Sequence, residues 1–389
     1  MRDKIKKILK MSIALAKYCY YSSTCRIKRI DNSDVWLISE RGVDARDNGF
    51  HFYRYIKKNH PEVVVKYVIS KDSADRKKIE KKDIIDYGSK KHYVLFKTAG
   101  ALISTHVMGY SPDMSLFWRM DKEGLLKLNG KKIFLQHGIT YSRVQSLDKR
   151  NSKIDLIMTA AWPEHKFIKT SYGYTDEEIK CVGFSRYDNL VDRSSSRDKK
   201  ILIMPTFRKW LNYESDFKNS DYFKKWNGLL RSKSFVKFID ENNIQVYFYP
   251  HFEIQKNIKD FRVTSSRIKI CKFDDYDVQD LLVKTNILIT DYSSVQFDFA
   301  YMGKKVLYYQ FDIERFYREH YEKGYFDFRK MGFGKVCIKE DELIKNLMNI
   351  ESDKIFSKRR EGFFNYRDSN NSKRVFDEIR KVIGERRGI

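Results

Sequence analysis

The sequence predicts an α/β protein of two doubly wound halves, each a parallel sheet with helices on both faces, facing one another across a cleft and followed by terminal helices. Three observations predict it. Short apolar, β-rich runs alternate with helical stretches almost throughout, the pattern of repeated βαβ units. A polar, serine-rich stretch, "RSSSRDKK" at 193–200, interrupts the series near its middle, after which the alternation starts afresh. A length of 389 residues makes two domains a better prior than one. The expected organisation is a basic amphipathic segment at 1–30, α/β domains at 31–192 and 193–340, and C-terminal helices at 341–389.

The N-terminal "MRDKIKKILKMSIALAKYCYY" starts basic, its apolar run is broken by Lys17, and it has no small-residue cleavage site, so it reads as a helix rather than a secretory signal. Ile5, Ile8, Leu9, Ile13, Ala16 and Tyr20 fall near one helical face with Lys4, Lys6, Lys7 and Lys10 around it. Such a helix is expected to lie in an anionic membrane surface, the plain alternative being a surface helix packed on its own domain. Strands then follow at "DVWLIS" (34–39), "VVVKYVIS" (63–70), "IIDYGS", "ALIST" (101–105), "KIFLQHG" (132–138) and "DLIMTAA" (155–161), with "FHFYRYIKKNH" and "KHYVLFKTAG" (91–100) helical between them. The second series runs through "ILIMPTF" (201–207), a helix near 220–241, "IQVYFYPH" (244–251), "IKICKF" (268–273), "NILITDY" (286–292), a helix near 294–302, and "KVLYYQF" (305–311).

With 77 Lys+Arg against 52 Asp+Glu, the net charge of +25 favours polyanionic partners: nucleic acid, anionic headgroups or phosphate-bearing substrates. The basic residues are spread out and no nucleic-acid reading motif accompanies them, so no nucleic-acid partner is expected. The five cysteines are scattered without metal-ligand or redox spacing, which fits a reducing cytoplasm. No stretch reaches the roughly 18 uncharged apolar residues of a transmembrane helix. P-loop, dinucleotide-fingerprint, HExxH and GxSxG patterns are all absent, which removes support for kinase, dehydrogenase, zinc protease and α/β-hydrolase readings.

Polar residues gather where strands end. Thr290 and Asp291 close an apolar run, and Ser293 with Gln296 reads as a capping box for the next helix. The amides of that helix start and the hydroxyls of Ser293 and Ser294 suit a phosphate, while Asp291 suits a ribose or sugar hydroxyl or the turn itself. A simple serine cap is the plain alternative. His137 follows a second strand as a candidate base, with Gly138 permitting a tight turn. His251 follows a third strand, with Pro250 ahead of it; Thr206 and Arg208 follow a fourth, where a guanidinium can meet phosphate oxygens two at a time.

These stretches, in order, resemble the CDP-glycerol and CDP-ribitol polyol-phosphate transferases of teichoic-acid and capsule assembly. The matching segments are "ISERGVDARDNGFHFYRYI" (38–56), "LISTH" (102–106), "IFLQHGIT" (133–140), "VGFSRYDNL" (182–190), "IMPTFR" (203–208), "YPHFE" (249–253), "VQDLLVKTNILITDYSSVQFDFAYMGKKVLYYQFD" (278–312), and "HYEKGYFDF" with "GFG" (320–334). The resemblance implies a GT-B architecture of two Rossmann-like domains, the C-terminal one holding the CDP-alcohol and the N-terminal one the acceptor. It implies His137 as base on the acceptor hydroxyl and His251 as a second essential histidine near the transferred phosphate. Asn48, Gly138, Thr206, Arg208, Thr290, Asp291, Ser293, Ser294 and Gln296 would contact substrate. Phe207 stands where members often have tryptophan, and Pro250 precedes His251 where the family's proline often follows. The implied reaction moves glycerol phosphate, or another polyol phosphate, from the CDP-alcohol to a lipid-linked anionic acceptor, releasing CMP, at the cytoplasmic face of the membrane. The sequence shows no metal site, though a diphosphate donor can bring Mg²⁺ with it. A nucleotide-sugar glycosyltransferase and a non-enzymatic basic binding module are the alternatives.

Overall fold

The computed structural model describes residues 2–214, 216–273, 275–350 and 354–384. The chain forms two compact units: unit 1 is Met1–Ile139, Val144–Asn189 and Asn365–Ile389, and unit 2 is Thr140–Arg143 and Leu190–Phe364.

Unit 1 holds a parallel sheet of seven strands, β1 (Asn32–Ser39), β2 (Val64–Ile69), β3 (Ile84–Asp86), β4 (Ala99–Ser104), β5 (Lys131–Phe134), β6 (Leu156–Thr159) and β7 (Ile179–Cys181), in the order β3-β2-β1-β4-β5-β6-β7. Trp36 pairs with Val65 on one side and Ala101 on the other. From Val35 to Ser39, β1 is buried without alternation, because helices cover both faces. Ile38, Tyr67 and Ile103 face a core closed by Val375, Phe376 and Ile379 of the helix Asn371–Gly384. Leu37, Val68 and Leu102 face the opposite core, which Ala14 and Tyr18 of the helix Arg2–Ile27 help to seal.

Unit 2 repeats the plan with six parallel strands, β8 (Lys200–Ile203), β9 (Gln245–Phe248), β10 (Ile268–Ile270), β11 (Ile287–Thr290), β12 (Lys305–Tyr309) and β13 (Gly334–Cys337), ordered β10-β9-β8-β11-β12-β13. Its core gathers Ile203, Trp226, Phe248 and Ile289. In each sheet the winding direction reverses once, between β1 and β4 and between β8 and β11. Beyond the carboxyl ends of such strand pairs, doubly wound sheets bind ligands.

Several local expectations change. The helical run at 91–100 stops at Thr98, since Ala99 and Gly100 open β4. The helix near 220–241 is two, Asp221–Arg231 and Lys233–Glu241, broken where Ser232 turns to an extended conformation. The segment 341–389 does not stay together: Glu340–Met348 and Lys354–Phe363 lie in unit 2, while Asn371–Gly384 completes the core of unit 1. Residues 140–143 join unit 2, where the Tyr141 hydroxyl donates to the Tyr292 carbonyl.

Candidate active site

In unit 1, the chain leaves β5 through Leu135, Gln136 and His137. Gln136 has a φ of 59°, a left-handed conformation that costs a non-glycine residue about 1–3 kcal/mol. Its side chain supplies the restraint: Nε2 donates to the Met158 carbonyl at 2.7 Å and to Glu164 Oε1 at 3.0 Å, and Glu164 Oε2 accepts the Ala160 N–H at 2.9 Å. The Asn48 amide donates to the Gln136 carbonyl at 2.7 Å, and its oxygen accepts the Arg186 N–H at 3.1 Å. Arg186 Nη1 reaches the His137 carbonyl and Asp47 Oδ1, both at 3.1 Å. Two expectations are thereby corrected. Left-handed freedom is used at Gln136, not at Gly138, and Asn48, fully buried, supports the turn instead of facing substrate.

The Thr105 carbonyl favours the charged form of the His137 ring. In a neutral imidazole one nitrogen carries the hydrogen and the other keeps a lone pair. Crowding by protein atoms, then the Arg186 guanidinium, with a smaller push from Arg41, bring its pKa down to about 4 against the pull of that carbonyl. The ring keeps exposed surface and, with its pKa lowered, is neutral at pH 7, the form a base requires. The His106 ring lies parallel to it, centroids 4.8 Å apart and planes within 11°. His106 Nδ1 is 3.0 Å from Thr105 Oγ1, and burial, then His137 and Arg41, lower its pKa to about 2. His106 and Thr105 had no assigned role in the sequence; "LISTH" at a strand end was the available signal.

In unit 2, Arg208 is fully buried, as is Asp291. Its Nη2 pairs with Asp291 Oδ2 at 2.9 Å, Nε donates to Asp312 Oδ2 at 2.8 Å, Nη2 also meets Asp312 Oδ1 at 3.1 Å, and Nη1 donates to the Thr206 carbonyl at 2.6 Å. Burial alone would lower its pKa, but the two carboxylates overcome that and raise it. Asp291 Oδ1 accepts the N–H groups of Thr206 at 2.9 Å and Tyr292 at 2.6 Å. The expected direct contacts of Arg208 with phosphate and of Asp291 with a ribose are therefore corrected: both are sealed in a buried ion cluster beneath the strand ends. Thr290 is likewise internal, its hydroxyl donating to the Met204 carbonyl at 2.7 Å.

The capping box does not form. The helix Val295–Tyr301 begins after Ser294 without a side-chain cap, and Gln296 gives its oxygen to the Tyr308 hydroxyl at 2.6 Å. That leaves Ser293 and Ser294 half-buried at the turn, and Thr206 Oγ1 and Gln296 Nε2 without a hydrogen-bond partner among the described residues. His251 is exposed after β9; its Nδ1 accepts the Glu253 N–H at 3.2 Å, so in the neutral ring Nε2 carries the hydrogen. Phe207 stacks on His251 at 5.8 Å and meets His320 edge-on at 6.2 Å. His320, unassigned from sequence, accepts the Lys209 N–H at 2.9 Å; burial, then Arg208 and Lys209, depress its pKa to about 3.

Residues 20–381 match the model of the family described as CDP-Glycerol:Poly(glycerophosphate) glycerophosphotransferase. The minor teichoic acid biosynthesis protein GgaB of Bacillus subtilis (strain 168) is 36% identical over 366 residues, covering 89% of this chain and 39% of that protein. The teichoic acid glycerol-phosphate primase of the same organism is 26% identical, covering 67% of this chain and 66% of its own length. The teichoic acid ribitol-phosphate polymerase TarK of Staphylococcus aureus is 25% identical over 55% of this chain and 42% of its own. The chain thus spans less than two thirds of each. Among solved structures, the wall teichoic acid polymerase TagF superposes with a TM-score of 0.68 at 18% identity, covering 99% of both chains. The shared fold is the expected one, two Rossmann-like α/β units.

Proposed function

Because the chain belongs to the CDP-glycerol:poly(glycerophosphate) glycerophosphotransferase family, we propose that it transfers glycerol phosphate from CDP-glycerol to a hydroxyl of a growing, lipid-linked acceptor in teichoic-acid synthesis. The acceptor oxygen attacks the phosphorus that carries the glycerol, the bond from that phosphorus to the bridging oxygen breaks, and CMP leaves with the electron pair. His137 takes the hydroxyl proton on its free nitrogen; a positioned base of this kind contributes about 10²–10⁴-fold. The observation that carries the reading is an imidazole with exposed surface just past the end of β5, on a turn held by Asn48 and Arg186.

His251 offers Nε2–H, with Ser293, Ser294 and Thr206, to the donor phosphates as charge develops on them. Arg208 serves from below by keeping Asp291, and through it the Thr206 amide, in place. Any Mg²⁺ would arrive on the diphosphate. Ribitol phosphate is the second reading, favoured by the ribitol-phosphate polymerase among the relatives.

The site of action we propose is the cytoplasmic membrane face. Among the described residues no helix is long and apolar enough to cross a membrane. The helix Arg2–Ile27 packs through Ala14, Tyr18 and Cys25, leaving Leu9, Ile13, Ala16 and Tyr20 exposed at i, i+4, i+7 and i+11, flanked by exposed Lys6, Lys10 and Lys17. The side chains of Lys4, Ile5 and Lys7 lie outside the described ones.

The test is CMP release from CDP-glycerol and CDP-ribitol, and UDP release from UDP-sugars, in the presence of a lipid-linked acceptor. CMP from CDP-glycerol is expected; CMP only from CDP-ribitol would establish the second reading, and turnover of UDP-sugars alone would overturn both.

A further inference from the structure

The reversal of winding in unit 1 lies between β1 and β4, and His106 stands at the end of β4, one strand from His137. Its backbone is fixed on both sides. The His106 N–H meets Ser104 Oγ at 3.1 Å, the Ser104 hydroxyl donates to the Glu40 carbonyl at 3.0 Å, and the His106 carbonyl accepts the Gly109 N–H at 2.9 Å. A Cβ at Gly109 would stand 2.1 Å from the Glu40 carbonyl oxygen, so this turn admits only glycine there. Thr105 is fully buried, and its hydroxyl stands 3.0 Å from His106 Nδ1.

Two imidazoles in parallel contact do more than fill space. The His137 ring can turn about its Cβ–Cγ bond, and a plane pressed against its face restrains that rotation. We infer that His106 is a positioning residue for His137, whose ring plane it sets by stacking, so that the unprotonated nitrogen points at the acceptor hydroxyl. The inference rests on the reading of His137 as the base. When His137 is protonated, its charge lies over a neutral aromatic face, a favourable arrangement. The charged groups that bear on the pair, Arg186 on His137 and Arg41 on both rings, are cationic.

The experiment compares wild type, His106→Ala, His106→Phe and His137→Ala by initial rates of CMP release over donor concentration and about pH 5 to 9, with thermal unfolding of each as a folding control. Removing the stack is expected to lower kcat about 10–100-fold, as a small misplacement of a reacting group does, with donor KM within about twofold and the acid limb of the kcat profile moved to higher pH as water reaches His137. The phenyl ring of His106→Phe, which stacks but has no nitrogen, should recover most of kcat and restore the limb. A His106→Ala enzyme with unchanged kcat and pH profile, beside an inactive His137→Ala, overturns this inference and leaves the base intact. His106→Phe as impaired as His106→Ala also overturns it, because nitrogen chemistry would then matter, not stacking. Full activity in His137→Ala overturns the reading of the base and, with it, any role in positioning that base.

Discussion

Unit 1 and unit 2 share one strand order over their first six strands, and each ends its central strands in polar residues, yet they furnish those ends in opposite ways. Unit 1 presents two stacked, uncharged imidazoles beside a strained glutamine turn. Unit 2 buries a guanidinium between two carboxylates and leaves hydroxyls and a single exposed imidazole above them. The difference follows from what each place can hold. A proton acceptor must be neutral and partly accessible, whereas a phosphate cradle needs rigid donors, and a buried ion cluster makes a stiff foundation.

The comparison breaks most visibly at His137. His137→Ala should cut CMP release about 10²–10⁴-fold with no change in the unfolding midpoint; retained activity would mean that the imidazole of unit 1 is not the base. The corresponding loss in unit 2 should be structural. Arg208→Ala leaves two buried carboxylates unpaired and should cost about 3–5 kcal/mol in urea unfolding. Arg208→Met combined with Asp291→Asn and Asp312→Asn should recover most of that, and a failure to recover would assign Arg208 more than a compensating charge.

Acid should weaken unit 1 through a buried histidine. His92 is fully buried between the Gly88 N–H and the Tyr110 carbonyl, and burial lowers its pKa from 6.5 to about 4. A depressed histidine binds its proton in the unfolded chain before the folded one, so stability is lost as pH falls from 6.5 toward 4. At pH 5 the loss from His92 alone is about 2 kcal/mol. Thermal unfolding at pH 7 and 5 measures it, and His92→Phe should show the shallower dependence. The smallest effect on folding is expected at the first helix: Leu9→Ser, Ile13→Ser and Tyr20→Ser together should change stability by only about 0.5 kcal/mol per site but release the protein from sedimenting anionic vesicles. Unchanged sedimentation would remove that helix as the docking face.

The strand ends and their polar residues were legible in the sequence because apolar runs and their terminations are local signals. So were His137 and His251 as imidazoles at strand ends. Arg208 was misread for a reason of range: a lone arginine after a strand looks like a phosphate ligand until Asp291 and Asp312, far along the chain, are known to enclose it. The S-x-x-Q pattern at Ser293 obeyed a local rule that a tertiary contact overrode, since Tyr308 takes Gln296. His106 stayed unassigned because stacking on His137 depends on β4 and β5 being neighbours. The fate of 371–384 was hidden likewise, for an amphipathic helix does not state which core it closes.

That last helix bears on how the protein is made. Val375, Phe376 and Ile379 complete a core whose other members, Trp36, Phe52 and Tyr67, emerge from the ribosome more than three hundred residues earlier. Domains that are contiguous in sequence can fold in the order of their synthesis. Here unit 2 has nearly all of its residues before unit 1 has its closing helix, so the first unit to be translated is the last to be finished. A nascent chain halted before Asn371 would expose that apolar face of the sheet to solvent and to chaperones.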